Sequence, residues 1–149
     1  MLSVNLIHQY QWTAADHVIN NPFSGLLMDM GLGKTVSMLT AIRYLIYEEF
    51  EISKVLVIGT KRVAESVWHT EANTWDHLQD LEVVRVIGNP RQRLAALKEK
   101  ADVYTIGREN VAWLCGQFGG SSLPFDMLVV DESSSFKNPK ALVVLSKSE

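Results

Sequence analysis

The sequence has too few cysteines, apolar runs and basic residues for several classes of protein. Its single cysteine, Cys115, excludes a disulfide within the chain. The apolar stretch that begins at Thr35 ends before Arg43, far short of the roughly 20 residues that a membrane-spanning helix needs. Residues 1–12 contain neither a basic start nor a long apolar block, so a secretory signal is not expected. These absences favour a reducing, cytoplasmic location.

The charge balance limits how the protein can bind nucleic acid. Lys and Arg number 14 against 17 Asp and Glu, which gives a net charge of −3. This balance excludes attachment to nucleic acid by bulk positive charge, but it is compatible with a local contact surface. The hydrophobic share of 47% and the charged share of 21% are typical of a folded domain. A chain of 149 residues is long enough for one domain with a buried core.

Short apolar runs alternate with helical patterns along the chain. Five runs are candidate strands: Ser24–Met28, Lys54–Gly59, Val83–Gly88, Asp102–Gly107 and Asp126–Asp131. Helical segments between strands imply crossover connections and a mostly parallel sheet, and runs without alternation fit strands that are covered on both faces. The predicted fold class is therefore α/β, a three-layer sandwich.

Two predictions concern single helices. Asn89 and Pro90 have the residue types of a helix N-cap and first helical position, with Leu94 and Leu97 expected on the apolar side of that helix. Trp68 and Trp75 recur at helical spacing and are expected in the core rather than as platforms for stacked bases. Cys115 is expected to be a small buried residue.

The segment Gly31-Leu-Gly-Lys-Thr35 lies between a predicted strand and a helix and has the composition of a phosphate-binding loop. Glycines allow backbone N–H groups to turn towards phosphate oxygens, and the following helix points its positive end at them. In such a loop Lys34 reaches the β- and γ-phosphates and the Thr35 hydroxyl binds Mg²⁺. Met28 stands where the full pattern has its first glycine.

Asp131 and Glu132 follow the last predicted strand, at the sheet edge where ligands of parallel α/β proteins bind. An aspartate at this position can hold Mg²⁺, usually through water, and the neighbouring glutamate can polarise an attacking water.

These segments resemble the Swi/Snf-type superfamily-two helicases, in particular phage and prophage members. Met28–Thr35 looks like motif I, D-E-M-G-L-G-K-T, and Asp131–Asn138 looks like motif II, D-E-A-H-x-x-K-N. Tyr10-Gln11 looks like the upstream element whose glutamine contacts adenine. Val55–Trp68 and Asp102–Asn110 resemble motifs Ia and Ib. The family tolerates a non-glycine residue at the position of Met28.

The resemblance implies a RecA-like P-loop NTPase lobe that binds ATP and Mg²⁺ in a bacterial or phage-infected cell. Asp131 would serve the metal, Glu132 the attacking water, and Lys34 the phosphates, while Thr35 would also bind Mg²⁺. The positions implied for nucleotide binding are Gln11, Gly31, Gly33, Lys34 and Thr35. Ser134 stands where the family has the histidine of D-E-A-H.

The same resemblance implies DNA, in duplex form, as a partner. The candidates for contact with the DNA backbone follow two predicted strands: Lys61, Arg62, Arg108 and Asn110. Family members often have proline in the motif Ia turn, whereas this chain has the segment Gly59–Arg62.

The chain is expected to comprise one domain, residues 1–149, that ends before motif III and lacks the second helicase lobe. An arginine from that lobe is worth about 10³–10⁵ in rate in related nucleotidases, so the isolated lobe is expected to bind ATP but hydrolyse it poorly. The motif III strand normally lies between the strands of motifs I and II. The apolar segment Ala141–Ser146 is therefore expected either to fill that gap or to pair with another chain.

Two alternatives stay open at this point. One is a small single-domain P-loop kinase or other NTPase, which would need an arginine-rich lid. The other is a module that binds nucleotide or DNA without turnover. A kinase should transfer phosphate to a small acceptor, whereas a translocase lobe should hydrolyse ATP faster when DNA is present.

We expect Lys34→Ala to abolish nucleotide binding, because the ammonium group would no longer neutralise the phosphate charge. Titration of the variant with a fluorescent ATP analogue measures this loss. An affinity equal to that of the unsubstituted chain would contradict the phosphate-loop assignment.

Overall fold

The computed structural model describes residues 34–50, 52–118, 124–131 and 142–146, the last range by its backbone alone. Its strands form one five-stranded sheet in the order β2-β3-β1-β4-β5. Their bounds are β1 Val55–Gly59, β2 Val83–Val86, β3 Val103–Gly107, β4 Met127–Asp131 and β5 Leu142–Ser146. The strands β1 to β4 are parallel to one another, as predicted, and β5 is antiparallel to β4.

Helices connect the strands. Their bounds are α1 Lys34–Tyr47, α2 Trp68–Thr74, α3 Pro90–Lys98 and α4 Val111–Gln117, with a π-helix at Val63–Val67 and 3₁₀ turns at Asp76–Leu78 and Arg108–Asn110. The described residues contain no helix that is both long enough and apolar enough to cross a membrane.

Two separate apolar clusters cover the two faces of the sheet. Alternate residues of a strand point to opposite faces: Val55 and Val57 pack in the cluster that contains α1, whereas Leu56 packs with Leu114 of α4. Burial on both faces explains why the strands read as continuous apolar runs. The arrangement confirms the predicted α/β, three-layer class.

At the amino edge of the sheet, where the parallel strands begin, acidic side chains tie the loops together. The Tyr47 hydroxyl at the end of α1 lies 2.9 Å from Oδ2 of Asp102, just before β3, and 3.0 Å from the carbonyl oxygen of Asp80. Burial and the hydrogen bond to Asp102 raise the pKa of Tyr47 to about 12. The contacts of its hydroxyl group hold the end of α1 at the amino edge.

Asp126 makes a similar connection between β4 and β1. Its Oδ2 accepts hydrogen bonds from the Ser53 backbone N–H at 2.8 Å, the Ser53 hydroxyl at 2.9 Å and the Lys54 backbone N–H at 3.2 Å. These bonds hold the chain before β1 against the start of β4.

The helix predicted from Asn89-Pro90 forms with the expected cap. The Asn89 side chain accepts from the Gln92 backbone N–H, and the Gln92 side chain accepts from the Asn89 backbone N–H, which is a complete capping box. The prediction for Leu94 is wrong: its side chain is 39% exposed, and Ala96 is the buried residue of α3.

The two tryptophans are buried as predicted, with Trp68 0% and Trp75 8% exposed. The prediction for Cys115 is wrong, because its side chain is exposed. Helix α4 packs on the sheet through Leu114, so the next residue along the helix faces away from it.

The segment expected at Ala141–Ser146 forms β5 over Leu142–Ser146 and pairs with β4, with Leu142 opposite Asp131. It therefore lies beside β4 within the same chain and runs antiparallel to it. Whether it fills the expected gap stays a prediction. The other strand of the expected gap, Ser24–Met28, lies outside the described residues.

His77 is held as a neutral imidazole between α1 and the loop after α2. Thr40 donates its hydroxyl hydrogen to the Val36 carbonyl at 2.7 Å, so its oxygen accepts from His77 Nε2–H, also at 2.7 Å. The Nδ1 atom of His77 is buried and has no hydrogen-bond partner among the residues that the structure describes. Burial and, less strongly, the charge of Arg43 lower the pKa of His77, against opposing effects of Asp76 and Asp80.

We expect acid to destabilise the protein partly through His77. Below a pH of about 6.5 the unfolded chain takes up a proton that the folded imidazole resists, so the free energy of unfolding falls as the pH falls. His77→Gln should make this fall shallower between pH 7 and 5, by at most about 1.4 kcal/mol per pH unit. Urea denaturation at several pH values measures it, and a variant with the full original slope would contradict the assignment.

Candidate functional site

The direction of α1 determines at which edge of the sheet its first turn lies. Its last residue, Tyr47, bonds to residues at the amino edge, and the helix packs along one face of the strands. Its 14 residues span about 20 Å, a little more than the roughly 16 Å of a five-residue strand. The first turn of α1 therefore lies towards the carboxyl edge of the sheet, where the parallel strands end.

The predicted nucleotide-binding residues are described only in part. Lys34 is the first residue of α1, and Thr35, in its first turn, is buried, with 8% of its surface exposed. The side chain of Lys34 is outside the described part of the structure, as are the other predicted residues Gln11, Gly31, Gly33 and Glu132.

Asp131 ends β4 on the face of the sheet that α1 covers. Val129 and Met127, two and four residues earlier on the same strand, pack in the cluster of α1, so the side chain of Asp131 points to that face. It is 1% exposed. Its Oδ2 accepts a hydrogen bond of 2.9 Å from the indole Nε1–H of Trp68.

The helical segment that carries Trp68 is anchored to two further strands. The Thr105 hydroxyl of β3 donates to the Ala64 carbonyl at 2.6 Å, and the Ala64 backbone N–H donates to the carbonyl of Thr60, just after β1, at 3.0 Å. Ala64 lies in the π-helix, and Trp68 directly follows that π-helix. Such π-helical turns are frequent at functional sites.

Gly59, the last residue of β1, makes room for this packing. A Cβ atom at Gly59 would lie 2.7 Å from Cγ1 of Val63 and 3.0 Å from the carbonyl oxygen of Asp131. Asp131 is the residue paired with Gly59 in the parallel register. A side chain at position 59 would therefore push apart the π-helix and the end of β4.

The described residues fit a Mg²⁺-nucleotide site. Mg²⁺ prefers oxygen ligands: Asp131 carries a carboxylate on the face that α1 covers, and Thr35 carries a hydroxyl in the first turn of α1, which lies towards the same edge of the sheet. The first turn of α1 adds backbone N–H groups and the positive end of the helix dipole, which favour phosphate.

A groove with a volume of about 1140 Å³ is lined by residues that follow β1, β2 and β3 and by one side of α3. It brings together two of the predicted DNA-contact residues, Lys61 and Asn110, with Arg85 of β2. Its lining is not basic: two cations, Lys61 and Arg85, face the three carboxylates of Glu65, Glu99 and Glu109. Lys61 Nζ lies 3.9 Å from the Glu65 carboxylate.

The structure does not bring the other two predicted DNA-contact residues into this groove. Arg62 and Arg108 are exposed, beside residues that line it.

Sequence reasoning missed two residues at this edge. Arg85, which donates to the Glu65 carbonyl at 3.0 Å, belongs to no motif. Trp68 was predicted as core, and its apolar spacing gave no sign of the bond to Asp131.

Comparison with known proteins gives a matching family and a similar phage protein. The SNF2-related domain matches residues 8–147. The chain is 37% identical over 130 residues to "Putative protein p41" of Acyrthosiphon pisum secondary endosymbiont phage 1. That alignment covers 87% of this chain but 28% of the phage protein, so the chain spans just over a quarter of the length of this relative.

We expect Gly59→Ala to destabilise the fold by about 1–3 kcal/mol, because the added Cβ overpacks the π-helix against β4. Gly116→Ala is the matched control. No described residue lies within 4 Å of a Cβ there, and Gly116 belongs to α4, so this substitution should be neutral or stabilising by up to about 1 kcal/mol. Equal stability of the two variants in urea denaturation would contradict the close approach at Gly59.

Proposed function

Because the chain belongs to the SNF2-related domain family of ATP-dependent DNA translocases and helicases, we propose that it is the N-terminal, ATP-binding lobe of a DNA-dependent ATPase. One observation carries the proposal most directly. Helix α1 begins at the G-K-T segment and runs back along the sheet to the amino edge, which directs Thr35 towards the edge where the buried Asp131 ends β4.

In this proposal the phosphates of ATP bind at the start of α1. Gly31 and Gly33 supply backbone N–H groups, Lys34 binds the β- and γ-phosphates, and Gln11 reads adenine. Mg²⁺ is held by the Thr35 hydroxyl and by Asp131, directly or through water.

Glu132 orients the attacking water. Its place in the chain, directly after Asp131 at the carboxyl edge, supports this role.

DNA contact is proposed at the same edge. Lys61 and Arg62 follow β1, and Arg108 and Asn110 follow β3, so all four come from the carboxyl ends of neighbouring parallel strands. The net charge of −3 and the mixed charges of the groove support a few specific contacts with the backbone of duplex DNA rather than a broad basic surface.

Efficient hydrolysis is proposed to require a second helicase lobe with its arginine finger, since such an arginine contributes about 10³–10⁵ in rate. That lobe and a second copy of this chain, paired through an exposed sheet edge, are the proposed protein partners. The proposed location is the cytoplasm of a bacterial or phage-infected cell, where ATP, Mg²⁺ and DNA occur together.

We expect Asp131→Asn to remove most of the effect of Mg²⁺ on ATP affinity, because an amide is a weaker ligand of Mg²⁺ than a carboxylate. The unsubstituted chain should bind a fluorescent ATP analogue about tenfold or more tightly in Mg²⁺ than in EDTA, by analogy with losses at other metal sites. Asp126→Asn, at the opposite end of the same strand, should keep this ratio.

The competing functions give different results in the same preparation. Phosphate transfer to a small acceptor would indicate a kinase, and Mg²⁺-dependent ATP binding without hydrolysis, with or without DNA, would indicate a binding module. An Asp131→Asn variant that keeps the Mg²⁺ effect in full would contradict the role of Asp131.

A further inference from the structure

The bond between Trp68 and Asp131 joins two completely buried side chains that are distant in sequence. Trp68 is 0% exposed and Asp131 is 1% exposed, and the 2.9 Å bond spans 63 residues of chain. A hydrogen bond to a charged acceptor is stronger than one between neutral groups, and burial removes competition from water. The indole therefore restricts the orientation of the Asp131 carboxylate more than a solvent-exposed donor would.

The indole is itself held in place, so the restriction acts on the carboxylate. The segment before Trp68 bonds to Thr60 after β1 and to Thr105 of β3 through the two polar groups of the Ala64 backbone. The Trp68 ring is also part of the apolar cluster that contains α1. With its helix tied to two strands and its ring packed, Trp68 is a rigid donor.

A second tryptophan, Trp75, makes an indole hydrogen bond that is purely local in sequence. Trp75 Nε1–H donates to Oε2 of Glu71 at 2.8 Å, four residues earlier in the chain and only partly buried. Such a bond satisfies the indole N–H without touching the sheet. Trp68 makes the same kind of bond to the carboxylate that ends β4.

We propose that Trp68 is a positioning residue for the nucleotide site: its indole N–H holds the Asp131 carboxylate in the orientation in which it serves the Mg²⁺ of bound ATP. This inference rests on the proposed function, since it assigns to Asp131 a role towards Mg²⁺. Donors that orient a metal-binding carboxylate commonly change metal affinity by about 10- to 100-fold when they are removed.

The test compares Trp68→Phe with Trp75→Phe, because each removes one indole–carboxylate bond and keeps an aromatic ring. Nucleotide affinity is measured across a Mg²⁺ titration, with circular dichroism as the check on folding. We expect Trp68→Phe to raise the Mg²⁺ concentration at half-effect by about tenfold, with ATP affinity in EDTA unchanged. Trp75→Phe should change neither quantity.

A second measurement needs only the unsubstituted chain. The ¹H–¹⁵N resonance of the Trp68 indole should shift when Mg²⁺ and ATP are added together, more than with ATP in EDTA, while the Trp75 resonance stays in place. This measurement also decides the matter if Trp68→Phe does not fold.

The outcomes separate the inference from the function on which it rests. Absence of any Mg²⁺ effect on ATP binding by the unsubstituted chain would overturn the proposed function. A normal Mg²⁺ effect that Trp68→Phe retains, or a Trp68 indole resonance that does not respond to it, would overturn the role of Trp68 and leave the proposed function intact.

Discussion

The packing of α1 along one face of the parallel sheet is the constraint on which the site depends. Apolar side chains of the helix, such as Leu39 and Ile42, are completely buried against that face, and Tyr47 attaches its far end to the amino edge. Removing this apolar surface from water provides the main driving force for the contact. Because the helix is anchored at that end, its first turn lies towards the carboxyl edge, at which Asp131 ends β4.

The charged group of the site is placed by polar contacts rather than by apolar packing. A buried carboxylate without partners is strongly unfavourable, and Asp131 meets this requirement through the Trp68 indole among its interactions. The same indole N–H would be left unpaired if the carboxylate were absent, so each group depends on the other. Lys61 lies seven residues before Trp68 on the connection from β1. The segment proposed to contact DNA is therefore close in sequence to the residue whose indole donates to Asp131.

Much of the fold was predictable because it depends on local patterns. The four described parallel strands begin and end within two residues of their predicted positions, since burial on both faces produces unbroken apolar runs. The cap at Asn89 was predictable for the same reason, as its partner Gln92 is three residues away. Leu94 was predicted wrongly because the pattern of α3 does not say which side of so short a helix faces the sheet.

The interactions that build the site depend on which strands are neighbours, and this information is not local. The bond from Trp68 to Asp131 crosses 63 residues, and the groove is lined by segments that follow the neighbouring strands β2, β3 and β1. The motifs indicated the types of residue at this edge. They included Trp68 at the end of the motif Ia segment but gave its indole N–H no role, because the spacing of Trp68 is that of an ordinary core residue.

The carboxylates at the amino edge have a consequence for how the protein can evolve. Asp102 and Asp126 align the starts of the strands through bonds to backbone N–H groups, at the opposite end of the sheet from the loops of the site. Strand alignment and ligand recognition are thus assigned to different ends of the same strands. The loops at the carboxyl edge can accumulate substitutions that alter what they recognise while the register of the sheet stays under separate control.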